Sequence, residues 1–478
     1  MRASDARAIV LDVAGPELLE RLEHLDALPV ANRQKPPPRP PRGARADVDV
    51  VVGGGGLSLL HAVVLARAGL RVAVVERARA GAAHREWNAS RRELDALSRA
   101  AIASALEIDT ELVVARYARG VCRWHRGGEH AVTGVLDCAV DAAKLLALAR
   151  SRAEALGVEF IESTEVAGHA ADESGVALAL EPASPEATNR SPRTIVARAF
   201  VDARGVSSPF ATADLVCPTV GGVLSELDEG DGPMRVRRDV GEILVTTEDV
   251  EDGHQHLWEA FPGRPGETTV YLFYYARSAR RAPGALAALY ARFFRTLHRY
   301  KSGDARLVRP TFGFIPGWSR LAPPPSSDHA RVLLVGDAAA RHSPLTFCGF
   351  GATLRSLSRG PQAVIRAIEG GRGAEIAHDA AIHAGTGALS LMLASVREER
   401  DAAWPNDLLD AAFSSLTRMG NDAYARLLRD EMDLAEFVEF LRATAAARPR
   451  VYFEIVRRLG PLALARWGAS LARQLAVV

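Results

Sequence analysis

Apolar residues follow two rhythms along this chain, and the switches between them divide it. Residues 47–52 read as an apolar strand, residues 57–68 as a helix and Leu70–Val75 as a second strand, a βαβ unit of Rossmann length. Residues 88–118 are expected to be mostly helical. Residues 138–156 are expected to form a helix whose Ala142, Leu145, Leu146, Ala149, Ala153 and Leu156 share one face. Val158–Glu162 then reads as a strand. Val176–Leu180 and Thr194–Val201 continue an alternating ribbon around the polar, Pro-containing loop Ser184–Arg193. Residues 242–247, 254–261 and 268–275 predict antiparallel strands, the last two joined across Pro262–Gly266. Val332–Val335 predicts a short buried strand, and from about residue 356 the pattern is helical to the end. There is no internal repeat.

Both ends are amphipathic. A short helix is expected from Pro16 to about Leu28, and Pro36–Pro41 cannot continue it, so residues 1–45 read as a packing arm or a tether. Tyr452–Leu475 sets Arg457, Arg458, Arg466 and Arg473 against Ile455, Leu459, Leu462, Leu464 and Trp467. Such a face packs on its own protein or, less commonly, on a membrane surface.

At 478 residues and ~150 per domain, the chain has room for two or three domains. Lys+Arg at 59 against Asp+Glu at 58 gives no basic bias, which argues against nucleic acid as a partner. The four cysteines lie apart with no CxxC, so neither structural zinc nor a disulfide framework is expected, and no metal site is assigned. The N-terminus carries no signal-like apolar core, and no window reaches the ~18 apolar residues of a spanning helix. The expected location is cytoplasmic, with peripheral contact on the inner membrane as the alternative.

Three motifs carry chemistry. In Gly53-Gly54-Gly55-Gly56-Leu57-Ser58, Gly53 and Gly55 supply the G-x-G of a dinucleotide-binding turn, Gly56 follows, and Ser58 replaces the third glycine. Glu76, 23 residues after Gly53, ends the next strand where an acid binds adenosine ribose hydroxyls, and it disfavours a 2′-phosphate there. Arg77 joins that cofactor set, and Arg91 or Arg92 could reach the pyrophosphate unless they only decorate a helix capped by Asn88 or Ser90. Asp202-Ala203-Arg204-Gly205, after a strand, is the middle motif of flavin monooxygenase-like folds, with Asp202 and Gly205 assigned to the flavin or the domain junction. In GDAAARHSPLTFCGFGATLR, Gly336-Asp337 can set a carboxylate by a ribityl hydroxyl. Pro344 makes a turn there, and Gly349 and Gly351 let backbone amides approach a phosphate or the flavin ring. Together these motifs imply FAD.

The candidate chemistry outside the cofactor centres on Glu259. Period-two alternation puts it between Leu257 and Phe261 on one face, where an apolar setting raises a carboxyl pKa towards that of a useful proton donor. The next strand puts Tyr271, Phe273 and Tyr275 on one face and Tyr274 on the other, an aromatic wall able to steady a carbocation. The alternative is an aromatic core with Glu259 held by an arginine.

EWNASRREL at Glu86–Leu94, GVLDCAVDAAKLL at Gly134–Leu146, VDARGVSSP at Val201–Pro209, LWEAFP and GDAAARHSPLTFCGFGATLR resemble the CruA/CruP-type lycopene cyclase family, within the geranylgeranyl reductase and aromatic hydroxylase-like flavoproteins. His342 and Cys348 stand where that pattern has a small polar residue and Gly. The resemblance implies an α/β fold in which a Rossmann-type FAD-binding domain (46–90, 135–212 and 328–380) carries an inserted antiparallel β-sheet substrate domain (91–134 and 213–327). An N-terminal helix and Pro-rich linker (1–45) and a C-terminal helical region (381–478) complete it. It further implies acid-initiated, non-redox cyclisation of lycopene or a similar apolar polyene with reduced FAD, with Glu259 as the acid and His342 and Asp337 as second candidates. The alternatives are an FAD-dependent polyprenyl reductase or monooxygenase drawing on NAD(P)H, and a non-catalytic flavin- or carotenoid-binding protein. A flavin halogenase is disfavoured, because W-x-W-x-I-P is absent and Lys35, Lys144 and Lys301 fall outside the predicted active-site strands.

Overall fold

Val48–Gly53 is apolar almost throughout because the strand is covered on both faces, as parallel strands in a layered α/β fold must be. The computed structural model describes residues 3–27, 38–83, 86–183, 191–211, 213–280, 282–319, 321, 326–343, 345–346, 349–371, 376, 383–396 and 402–475. Val48–Gly53 lies parallel to Val72–Val75 on one side and to Arg193–Asp202 on the other. Glu159–Ile161 extends the sheet beyond Val72–Val75. Val332–Leu334 pairs with the C-terminal end of Arg193–Asp202. Three strand ends, at Gly53, Asp202 and Leu334, therefore meet at one edge, and each is followed by one of the three motifs. Gly175–Pro182 and Thr164–Asp172 complete this seven-stranded sheet on its antiparallel side.

A second, eight-stranded sheet holds Leu215–Leu227 at its centre, flanked by Thr268–Phe273 and Gly303–Gly317. Leu257–Pro262 and Val240–Val245 follow in order, and Arg119–Arg123 with Glu129–Val132 forms the far edge. Trp258, Ala260, Val270 and Leu272 face one core, shared with Leu286, Tyr290 and Phe293 of the helix Ala285–Tyr300 and with Val10, Leu18 and Leu22 of the N-terminal helix. Leu257, Phe261 and Phe273 face the other, shared with Leu409, Phe413 and Tyr424 of the C-terminal helices. The predicted alternation on these strands is thus observed, and residues 3–27 are a packing arm. The mixed α/β architecture with a helical C-terminal region agrees with expectation.

Several boundaries differ. The N-terminal helix begins at Ala3 rather than Pro16, because Gly15 takes a positive φ of 80° and lets one helix run into the next across a kink. Residues 88–118 are not mostly helical: Glu86–Ala89 and Val113–Arg116 pair with Cys138–Asp141 in a three-stranded sheet, and only Arg91–Arg99 is a regular helix of length. That helix buries Leu94 and Leu97 in the core of the nucleotide-binding layer. The helix expected from 138 starts at Ala142, after the strand Cys138–Asp141, because Asp141 caps it by accepting from the Lys144 amide at 3.0 Å. The strands Leu215–Leu227 and Gly303–Gly317 escaped the pattern because Pro218, Gly221 and Gly222 break the first and charged residues punctuate the second. Most of the Ser184–Arg193 loop lies outside the described residues. Among the described residues no helix is long and apolar enough to cross a membrane, and no cluster of His, Cys, Asp or Glu could hold a metal ion.

Candidate active site

The glycine run turns sharply between strand and helix. Gly54 has φ of 111°, and a Cβ there would stand 2.6 Å from the Ala203 carbonyl oxygen. A Cβ on Gly55 would stand 2.8 Å from that of Ala80. Gly56 has nothing within 4 Å of its Cβ position, since it faces open space. Ser58, in place of the third glycine, donates its hydroxyl to the Gly54 carbonyl and so closes the turn on itself. Glu76 reaches back from the adjacent strand end to accept the Gly55 amide at 2.6 Å and the Ala78 amide at 3.0 Å.

Two cavities meet at this turn. One, of about 430 Å³, is bounded by Gly54, Gly55, Glu76, Arg77 and Arg204. The other, of about 370 Å³, runs from Ser58, Gly336, Asp337 and Gly349 to Glu259, Tyr271 and Phe273. They share Gly56, Ala203 and Gly205, so a single elongated ligand can pass through both. Close-packed glycines at one end, an acid at the neighbouring strand end and open space over Gly56 fit an adenine dinucleotide whose pyrophosphate crosses the turn. The residues present fit FAD. Its adenosine side would lie by Glu76 and Arg77, and its flavin side by Gly336, Asp337 and Gly349.

Asp202 touches neither cavity. It is fully buried and takes the Arg204 guanidinium at 2.8 and 3.0 Å, the Arg204 amide at 3.1 Å and the Ser208 hydroxyl at 2.8 Å. Its work is to fix the turn that presents Ala203 and Gly205, the latter at φ of 60°. Gly53 likewise serves packing, because the Phe200 ring occupies its Cβ position. Two further assignments are not met. Arg91 pairs with Asp95 and Asp109 on the helix surface and lines neither cavity, while Ser90 and Glu93 form the capping box of its helix. Gly351 gives clearance to the Glu93 carboxylate instead of an amide to a phosphate. Pro344 and Cys348 lie outside the described residues.

Glu259 faces the cavity opposite Tyr271, its cross-strand partner. Burial among Leu257, Phe261, Phe273 and Ile315 pushes its carboxyl from the ordinary 4.5 up to about 8, with no charged group contributing. The arginine that the alternative reading required is therefore missing from its surroundings among the described residues. His342, buried and lining the same cavity, is pushed down by burial against a smaller opposing pull from Asp337. A neutral imidazole accepts protons, so His342 is poorly suited to the acid role first considered for it.

Sequence reasoning passed over several lining residues. Trp87 and Asn88 were read only as part of a helix entry, yet they stand on a strand at the cavity, where Trp87 meets Phe350 at 5.4 Å between ring centres. Cys217 and Thr219 lie on the unrecognised strand Leu215–Leu227, and their spacing of two was the available signal. Glu86 lines the cavity while paired to Arg264 at 2.6 Å, and Arg264 also holds Asp141 at 2.6 Å. Arg264→Met leaves two buried carboxylates short of a partner. Because the guanidinium is partly exposed, the expected loss is about 2 kcal/mol in a urea unfolding curve.

Residues 45–353 match the family model of the FAD binding domain. No curated protein sequence matches the chain. Among solved structures, the fold is similar to that of a geranylgeranyl bacteriochlorophyll reductase-like protein from Thermoplasma acidophilum. That match has 15% identity and TM-score 0.54, and covers 87% of this chain and 99% of that one. The halogenase PltM is similar at 14% identity and TM-score 0.57, over 90% of this chain and 96% of its own. A flavoprotein/dehydrogenase from Cytophaga hutchinsonii is similar at 16% identity and TM-score 0.53, over 80% and 93%.

Proposed function

This chain belongs to the FAD binding domain family, and from that premise we propose that it is a carotene-cyclase-like flavoenzyme in which Glu259 protonates a terminal double bond of an apolar polyene. The observation that carries the reading is a carboxyl with no ionic partner, raised to about 8 and set in an aromatic wall that continues to the flavin side of the cavity. FAD, when bound and reduced, supplies an electron-rich surface that favours a nearby cation. The Glu259 proton goes to the inner carbon of the terminal double bond, the next double bond along the chain closes on the tertiary cation that results, and a proton leaves from the ring. Tyr271, Phe261 and Phe273 face that cation with their ring quadrupoles and keep water away. His342, neutral by burial, is suited to accept the departing proton. Atoms and electrons balance without net redox change.

A second reading is an isoprenoid reductase. It is favoured by the geranylgeranyl reductase-like protein in the fold comparison, and it would use the same acid to protonate the carbon next to a hydride. Halogenation has less support, because no lysine among the described residues lines either cavity and Lys301 is committed to Glu242 at 2.8 Å. Photoreduced protein incubated anaerobically with lycopene is expected to yield cyclic products of unchanged mass without NAD(P)H consumption. Stoichiometric NAD(P)H oxidation with a gain of two hydrogens per product would replace the cyclase reading with the reductase one.

A further inference from the structure

Two consecutive helices near the C-terminus, Val451–Leu459 and Pro461–Leu475, each carry two unlike faces. In the first, Val451, Ile455 and Leu459 recur at helical spacing and pack with Trp404, Leu408 and Met392. Phe453 and Val456 lie on the opposite side of that helix and are 70% and 41% exposed. Trp467 turns the second helix inward, against the core that holds Phe261 and Phe273. Leu462, on its outward side, is 66% exposed. Three large apolar side chains on the outward sides of two helices joined at Gly460 are grouped rather than scattered, and grouped apolar exposure marks an interaction surface.

Charge follows the same division. Residues 448–478 contain six arginines and one carboxylate, Glu454, in a chain whose overall balance is only +1. Glu454 is engaged on the inward side, where it accepts the Trp404 indole N–H at 2.8 Å and the Arg448 guanidinium at 3.1 Å. Arg458 also turns in, with its guanidinium over the Trp404 ring. Arg450, Arg457 and Arg466 are exposed. Helical spacing sets Arg450 and Arg457 beside Phe453, and Arg466 beside Leu462. Apolar tips bordered by cations, with the carboxylate on the far side, are complementary to an anionic lipid surface. The tips enter the acyl boundary while the guanidinium groups meet phosphates.

We infer that these two helices dock the protein on an anionic membrane surface, lying in the interface without crossing it. The helix His383–Leu393 touches both of them, and its Leu393 shares a core with Phe261 and Phe273 of the cavity wall. One helix therefore separates the docking face from that wall. The docking face stands on its own residues; only its use in collecting a polyene from the bilayer rests on the cyclase-like reading.

The test is flotation of FAD-saturated protein with vesicles of phosphatidylcholine, alone or mixed with phosphatidylglycerol, and it needs no substrate. Binding is expected to the mixed vesicles only, and to weaken as salt rises. Phe453→Ser with Leu462→Ser is expected to weaken it at least about tenfold. Arg450→Gln, Arg457→Gln and Arg466→Gln together are expected to weaken it about a hundredfold. All these positions are exposed, so flavin content and circular dichroism should match the wild type. Weakening by both sets of changes supports the docking face. No flotation, or flotation that either set leaves unchanged, overturns it. Light scattering tests the other occupant of such a face, a second copy of the chain. A dimer that Phe453→Ser with Leu462→Ser dissolves, without vesicle binding, also overturns the proposal.

Discussion

Glu259→Gln is expected to lower turnover of the polyene about a thousandfold while the protein still purifies with a full complement of FAD, read from the flavin absorbance. Glutamine keeps the shape and removes the transferable proton, and Glu259 stands at the end of the cavity away from the glycine turn. The pH profile gives a second reading of the same group. Activity that needs the neutral carboxyl falls tenfold per pH unit above about pH 8, because the carboxyl titrates there, and it falls again in acid where His342, held below its ordinary 6.5, takes a proton.

Stability has the matching sign. The folded-state pKa, about 8, lies above the ordinary 4.5, so the folded protein holds this proton more tightly than the unfolded chain. The contribution is fully present below 4.5, is lost at about 1.4 kcal/mol per pH unit as pH rises, and is gone above about 8. Urea midpoints of wild type and Glu259→Gln should therefore converge near pH 5 and separate at pH 9, with the glutamine protein the more stable. Normal turnover by the variant would remove Glu259 from the mechanism, whatever the stability curves show.

The second large effect separates two glycines that look alike in the sequence. Gly56→Val is expected to give folded protein with FAD affinity lowered at least about a hundredfold, since the new side chain stands in the open space that joins the two cavities. Gly54→Ala is expected to lose fold and flavin together. Its φ of 111° is costly for any L side chain, by about 1–3 kcal/mol. Its Cβ would also press on a backbone carbonyl that cannot rotate away. Circular dichroism and flavin content on the same preparations distinguish the outcomes. A Gly56→Val protein that keeps its flavin would refute the path assigned to the pyrophosphate.

The chain by itself determined its nucleotide-binding half. Apolar strands running up to Gly53, Asp202 and Leu334 announce a buried sheet and the turns after it, because burial and sharp turns constrain local residue choice. It also determined the face of Glu259, since period-two alternation is a local property of the strand. What it left undecided depends on partners distant in sequence. Arg91 and Gly351 carry the residue types of a phosphate site, yet Arg91 is held by Asp95 one turn along its own helix and by Asp109, which only the fold brings near, and only helix packing sets Gly351 against Glu93. Cys217 and Thr219 reach the cavity from a strand whose Pro and Gly hide it, and that strand exists because Thr268–Phe273 and Gly303–Gly317 hold it from both sides. The proton-donor character of Glu259 also required the tertiary structure. Its carboxyl rises to about 8 because burial is offset by no positive charge, and that environment is a property of the assembled cavity.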